Sequence, residues 1–322
     1  MSAPVRGHAS YVTHLSHALG DQSASVEEAE AAGRLVSGAA AIRDAGFDRH
    51  HVASPGVSAY ELARRAVSPI AGDLGDVGAI VYVTCLPGSG SLGGPEQFAD
   101  TRDVKHLMDF PASHLQADFG LLRASIFGLA QQACAGMLGS LRLARSLLLA
   151  EPGLARILCV TADRFPEGAL YEQAYNLMSD GATACVVSRE PAGFRLRAFH
   201  ALSNGALARV SDDEAAGSFF VYGHRTIVEC VGRAGLSLAD VDWIVPQNMN
   251  HRAWGILARL LGYPMERVLT PSLADVGHVV CGDNLINLER LQAAGRFTRG
   301  DTILLFMAGY GLNWQCALLE AA

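Results

Sequence analysis

Two stretches of the chain, LGDVGAIV at 74–81 and LADVDWIV at 238–245, share the pattern L-x-D-V-x-x-I-V at an offset of 164, close to half of its 322 residues. A longer match joins CAGMLGSLRLARSLLLAEPGLARIL from Cys134 to CGDNLINLERLQAAGRFTRGDTIL from Cys281. Each reads as a cysteine-glycine turn, an amphipathic helix and a strand, with Leu138/Leu285 and Leu141/Leu288 in register. Self-similarity on this scale implies two copies of one α/β unit packed together. The division is expected near residue 175, giving an N-terminal half (1–175) that carries Cys134 and a C-terminal half (176–322) that carries the other polar motifs. β-branched runs at 80–85, 157–161, 184–188, 243–246 and 303–307 alternate with helix-length segments, as in an α/β protein. They are apolar nearly throughout, which predicts sheets covered by helices on both faces.

Composition removes several function classes. Half of the residues are hydrophobic and only 18% are charged, so most of the chain has enough apolar surface to fold. The net charge of −7 repels phosphate backbones and anionic membrane surfaces, arguing against nucleic-acid and membrane partners. Apolar runs such as 303–308 fall short of the roughly 18 residues a membrane helix needs. The opening MSAPVRGHASYVTH has no signal-peptide pattern, so a reducing cytoplasm and free thiols are expected. The seven cysteines, at 85, 134, 159, 185, 230, 281 and 316, form no C-x-x-C pair, and His50-His51 stands in no metal-ligand spacing; no metal is expected. GSGSLGG at 88–94 contains G-x-G-x-x-G but runs into Pro95 without a matching acidic residue, and reads as a loop rather than a dinucleotide fingerprint.

Cys134 is the candidate nucleophile. Ala133, Ala135, Gly136 and Gly139 surround it, and the leucine helix begins directly after it. Unsatisfied amides and the positive end of the helix dipole favour a thiolate there, and small neighbours let a substrate approach. A small buried core residue is the alternative reading of such a cysteine.

ACAG at 133–136, SDGATA at 179–184, IVPQNMNHR at 244–252 and GDTILLFMAGYGLNWQCALLE at 300–320 resemble, in order, the signature segments of β-ketoacyl-acyl-carrier-protein synthase III-like proteins of the thiolase superfamily. The resemblance spans about residues 55–322. It implies a five-layered αβαβα thiolase fold of two pseudo-symmetric halves, a homodimer, and acylation of Cys134 by a phosphopantetheine thioester of acyl carrier protein or coenzyme A, with no tightly bound cofactor.

The chain departs from the family pattern at two places. Gln247 stands where the family has a histidine after the proline, while Asn250 keeps the asparagine that ends the motif. Gly277-His278 replaces the usual Gly-Asn, and GHVVCGDN at 277–284 resembles the Gly-His element of ketoacyl synthases I and II. Gln247 donates hydrogen bonds but shuttles no proton. Cys134, His278 and Asp283 make a candidate nucleophile-base-orienter set, which suits transfer of an acyl group to a hydroxyl or amine. Decarboxylative condensation with a malonyl thioester, using His278, Asn250 and Gln247 around the enolate, is the second reading, and carbon dioxide release separates the two. A non-catalytic carrier-binding scaffold is the third. His278 as a core histidine and Asp283 as a plain helix-start carboxylate remain the bland alternatives.

The oxyanion hole implied by the family is the amide of Cys134 with one from the turn Gly309-Tyr310-Gly311. Tyr310 replaces a glycine there, which narrows the acyl pocket or strains the turn. Arg252 and Arg259, two turns apart on one helix, are candidates for docking an acidic carrier protein; a solvated helix face is the alternative. The family's coenzyme-A-gripping Trp/Arg segment is not recognisable at 41–54, which favours acyl carrier protein as donor.

Overall fold

The computed structural model describes residues 9–87, 95–108, 110–174, 176–210, 212–310 and 312–322. The glycine-rich stretch 88–94 and Gly311 lie outside the described residues. The strands are β1 (Tyr11–Leu19), β2 (Gln22–Ser25), β3 (Arg49–Val52), β4 (Val77–Val83), β5 (Ser125–Leu129), β6 (Arg156–Asp163), β7 (Glu172–Gln173), β8 (Asn176–Leu177), β9 (Gly181–Ser188), β10 (Phe194–Ser203), β11 (Trp243–Pro246), β12 (Thr302–Gly309) and β13 (Asn313–Ala321). The helices are α1 (Val26–Ala31), α2 (Ala39–Asp44), α3 (Ala59–Val67), α4 (Pro95–Thr101), α5 (Pro111–Asp118), α6 (Gly136–Ala150), α7 (Asp212–Arg233), α8 (His251–Leu261), α9 (Leu273–Val276) and α10 (Asp283–Ala293).

Nine strands form one sheet in the order β11-β12-β13-β10-β1-β9-β6-β4-β5. Its two arms repeat a pairing pattern. β4 runs parallel to β6, which is antiparallel to β9, which is antiparallel to β1; β11 runs parallel to β12, which is antiparallel to β13, which is antiparallel to β10. The arms join where β1 meets β10. The two L-x-D-V-x-x-I-V segments lead into the equivalent strands β4 and β11. β9 pairs with β6 and β1, so in the sheet it stands with the first arm.

Strand alternation sorts the core into layers. Val81, Val83, Ile303, Leu305 and Met307 face inward onto α6 and α10, which supply Leu138, Leu141, Leu285 and Leu288. Ile80 and Tyr82 face outward onto α3 and α5. Leu304 and Phe306 face outward onto α7 and α8. Helices, first arm of the sheet, central helices, second arm, helices: these are the five layers, and the two-sided cover explains why the strands read as continuous apolar runs. Each fully buried leucine of the central helices contributes about 1.5–3 kcal/mol. By length and composition alone Ala133–Ala150 is apolar enough to cross a membrane, which the apolar-run argument passed over; half of it is buried here, in the middle layer.

Candidate active site

Cys134 lies in the 3-10 turn Ala133–Ala135 that leads into α6, and Ala133 before it holds a left-handed backbone at φ 45°. Outside glycine that conformation costs on the order of 1 kcal/mol. It sets the cysteine on a tight turn just before the free amides of α6. The second half repeats the device: Val280 has φ 38°, Cys281 follows, and α10 starts at Asp283. The two turns touch, since the Cys281 thiol donates to the Ala133 carbonyl at 3.2 Å.

Cys134 is partly buried, as is Cys85 just past the end of β4. The Cys85 thiol, burial, and the charges of Cys281, Cys85 and Asp283 push the Cys134 thiol well above its ordinary range, whereas the Cys134 thiol holds that of Cys85 down. The resting thiolate expected at the helix start is therefore not favoured: buried surroundings without a cation outweigh the dipole. Activation of Cys134 calls for a base.

His278 and Asp283 form a paired base and orienter. His278 Nδ1 lies 2.5 Å from Asp283 Oδ2, and both residues are buried. Asp283 also accepts the backbone amides of Asn248 at 2.7 Å and Val279 at 2.7 Å. A carboxylate surrounded by donors accepts from His278, so Nδ1 carries the proton and Nε2 presents a lone pair. Nε2 has no hydrogen-bond partner among the described residues and is not sealed from solvent. Below this pair lies a buried amide network that the sequence reading missed. Asn248 donates to Ser272 Oγ (2.8 Å) and to the carbonyl of Gly277 (2.7 Å), and accepts from Asn287 (3.0 Å). It ties the end of β11 to the residue before His278.

Gln247 is buried at the end of β11, where its Oε1 accepts the amide of Ala308 at 2.5 Å. Its side chain thus fixes the end of β12. The next residue, Gly309, packs on the nucleophile turn: a Cβ there would stand 2.4 Å from the Gln132 carbonyl oxygen and 3.2 Å from the amide nitrogen of Cys134. Tyr310 turns at φ 36° and is 73% exposed, so the structure has the strained turn.

Asn250 is the N-cap of α8: its side chain accepts from Arg252 N at 3.0 Å. Its side-chain oxygen thus serves the helix start. Arg252 pairs with Asp44, while Arg259 is exposed with no ion pair among the described residues. His50 and His51 are separated in role: His50 is fully buried against Met178, and among the described residues no His/Cys/Asp/Glu group has the makings of a metal site.

Cys85 and Asp163 also escaped sequence reading. Asp163, buried at the end of β6, accepts from Thr84 Oγ1 (2.7 Å), Cys85 N (2.8 Å) and Leu86 N (3.0 Å), and so holds Cys85 in place. The available signal was position: both stand at carboxyl ends of parallel strands, the edge where α/β sites form.

Comparison with known proteins gives the family and the fold. Residues 130–205 match the family described as 3-oxoacyl-[acyl-carrier-protein (ACP)] synthase III, and residues 231–321 match its C-terminal part. The chain is 27% identical over 299 residues to beta-ketoacyl-[acyl-carrier-protein] synthase III 2 of Deinococcus radiodurans, covering 85% of this chain and 83% of that protein. Among solved structures, 3-oxoacyl-(acyl carrier protein) synthase III of Pseudomonas aeruginosa superimposes with a TM-score of 0.80 at 24% identity, covering 97% of this chain and 98% of the other. An acyltransferase, ChlB3, gives 0.78 at 20% identity over 97% and 98%. At those identities the two structures establish the fold.

Proposed function

The chain belongs to the 3-oxoacyl-[acyl-carrier-protein] synthase III family of thiolase-fold enzymes, and from that premise we propose that it is a thioester-dependent acyltransferase acting on a hydroxyl or amine acceptor. The observation that carries this reading is the His278–Asp283 pair, with Nδ1 2.5 Å from the carboxylate and Nε2 unpartnered among the described residues. His278 Nε2 takes the proton of Cys134 as its sulfur attacks the carbonyl of a phosphopantetheine thioester. The oxyanion is held by the amide of Cys134 and one from the turn at Gly309. The carrier thiol leaves with the proton. His278 then deprotonates the acceptor, which attacks the acyl-Cys134 carbonyl; the C–S bond breaks, Cys134 leaves as thiolate and recovers the proton from His278, and Asp283 keeps the imidazole in the required tautomer.

Gln247 supports this reading by what it lacks: its oxygen is engaged by Ala308 and it carries no titratable nitrogen. Decarboxylative condensation is the second reading. The curated relatives favour it, being named as ketoacyl synthases; the Gln247 amide, and His278 with Nε2 protonated, are the donors it would use for the enolate. For the donor we favour acyl carrier protein, docking along α8 at Arg259 and Arg252, where Ile256 and Leu260 are exposed beside the two arginines. A cytoplasmic homodimer is part of the proposal. The edge strand β5 offers unpaired backbone groups, with Ile126 and Phe110 exposed beside a cavity of about 350 Å³ that both residues line.

Intact-protein mass spectrometry tests the reading: the enzyme is loaded from a panel of acyl-carrier thioesters and chased with malonyl-carrier or with alcohols and amines. Acylation that vanishes in Cys134→Ala, resists malonyl-carrier and discharges to an alcohol or amine is the expected result. Ketoacyl-carrier with carbon dioxide makes it a ketosynthase. Absence of any acyl-enzyme across the panel points to the carrier-binding scaffold.

A further inference from the structure

The nucleophile turn is anchored to the last strand of the sheet by a contact between two neutral side chains. Gln132 Oε1 accepts from Gln315 Nε2 at 3.0 Å, a hydrogen bond between residues 183 positions apart. Gln315 is buried on β13, where Ala317 and Leu319 share its face and pack in the middle layer. Strands on both sides fix its backbone, with Met307 of β12 and Ala201 of β10 as its direct partners. Gln132 is half-buried and stands two residues before Cys134, directly before Ala133 with its φ of 45°. Both ends of Gln132 are engaged. Its carbonyl accepts from Ala135 N at 3.1 Å and lies where a Cβ on Gly309 would collide. Its side-chain amide lies along α6 where Gly139 leaves room: a Cβ on Gly139 would overlap Gln132 Oε1 and stand 2.7 Å from its Cδ.

We propose that Gln132 and Gln315 are positioning residues for the nucleophile: their hydrogen bond ties the turn at 132–134 to β13 and keeps the sulfur and amide of Cys134 in register with Gly309 during acylation. This rests on the reading of Cys134 as the acyl acceptor. A left-handed alanine persists only where its surroundings over-determine it. On its carbonyl side Ala133 is held by the Cys281 thiol at 3.2 Å; on its amino side the hold is Gln132, and through it β13. An interior strand suits that task, because β13 is bonded to β12 and β10 along its length and does not yield as a loop would. Both partners are neutral amides, so the pair sets geometry without adding charge beside the thiol. Small displacements at a reacting atom cost large factors in rate. Loss of the pair therefore slows acylation and leaves donor binding and the pH dependence as they are.

The test is a double-mutant cycle on the whole protein, with acylation from acyl-carrier thioesters followed by intact mass. Gln132→Met, Gln315→Met and the double variant keep side-chain length and remove the hydrogen bond. The saturating acylation rate constant should fall about tenfold in each single variant and no further in the double, with the half-saturating thioester concentration and the pH profile unchanged. Gly139→Ala reaches the same contact from α6. The three nearest atoms to its methyl all belong to the Gln132 amide, so it displaces that side chain while improving the helix, and acylation should fall about as much in a protein that still folds. Wild-type rates in the single variants and Gly139→Ala, effects that multiply to about a hundredfold in the double variant, or a raised half-saturating concentration at an unchanged rate constant overturn the proposal. Hydrogen exchange of the peptide 130–137 reads the anchor without any acyl donor, and should speed up in the variants while β13 stays protected. Faster exchange in a protein that no thioester acylates keeps the anchor and removes Cys134 as acyl acceptor; equal acylation and equal exchange in wild type and variants remove the anchor and keep the acyl acceptor.

Discussion

Asp283 is the residue on which the site's chemistry turns, because each of its oxygens already has a donor: Oδ2 takes Asn248 N and His278 Nδ1, and Oδ1 takes Val279 N. Asp283→Asn keeps the shape but brings an NH₂ group against at least one of those N–H groups. The imidazole then loses its acceptor or flips its tautomer, and Nε2 no longer presents a lone pair. Discharge of acyl-Cys134 to the acceptor should fall by about 10²–10⁴-fold, with about 1–3 kcal/mol of stability lost. Single-turnover discharge and urea denaturation measure the two effects separately, and a variant that discharges at the wild-type rate would remove Asp283 from the mechanism. His278 and Asp283 were legible because GHVVCGDN puts them five positions apart around a helix start. The fate of Gln247 was not, since its partner Ala308 is 61 residues away and only the parallel pairing of β11 with β12 brings them together. Asn250 read as a site residue from its motif, yet any asparagine directly before a helix is also a good N-cap, and that is the use its oxygen has here.

Among the elements, the approach of β12 to the start of α6 is the closest fit in the site. Gly309 lies so near the nucleophile turn that a methyl group would meet main-chain atoms, Gln132 O at 2.4 Å and Cys134 N at 3.2 Å. No rotamer relieves a backbone contact, so Gly309→Ala must push the strand end away from Cys134. With the oxyanion donors separated, acylation should slow by about 10²–10³-fold while the fold persists. Stopped acylation time courses, with circular dichroism as the folding control, check this; acylation within about threefold of wild type would mean that the turn donates no catalytic amide. The repeat of α6 and α10 was readable from aligned leucines, and the structure extends it to the backbone, where Ala133 and Val280 share positive φ. Those two angles left no trace in the sequence. Neither alanine nor valine favours that conformation, and the surrounding packing imposes it.

Across the whole molecule, five layers bury two ionisable groups whose effects on stability oppose each other. Burial drives His50 down from 6.5 to about 4, against the raising effect of its hydrogen bond to the Met178 carbonyl. Burial likewise drives Asp163 up from 3.8 to about 6, although Thr84, Leu86 and Cys85 donate to it. The signs follow from proton counts. Between pH 4 and 6.5 the unfolded chain protonates His50 and the folded one does not, so this group's contribution is complete above 6.5 and is lost as pH falls through 4. Between pH 3.8 and 6 the folded chain keeps the Asp163 proton that the unfolded one has released, so its contribution is complete below 3.8 and lost as pH rises through 6. Each amounts to about 3 kcal/mol, and over the shared window from about 4 to about 6 they cancel. Single variants should expose the slopes. From about pH 4 to about pH 7, Asp163→Asn should gain about 3 kcal/mol relative to wild type, and His50→Asn, which retains a donor for Met178, should lose about as much. Urea midpoints across that range measure both, and constant offsets from lost contacts drop out because only the change with pH is read. Two flat differences would mean that neither group titrates as its burial requires; slopes of opposite sign would show that the two buried groups pull stability in opposite directions over this range.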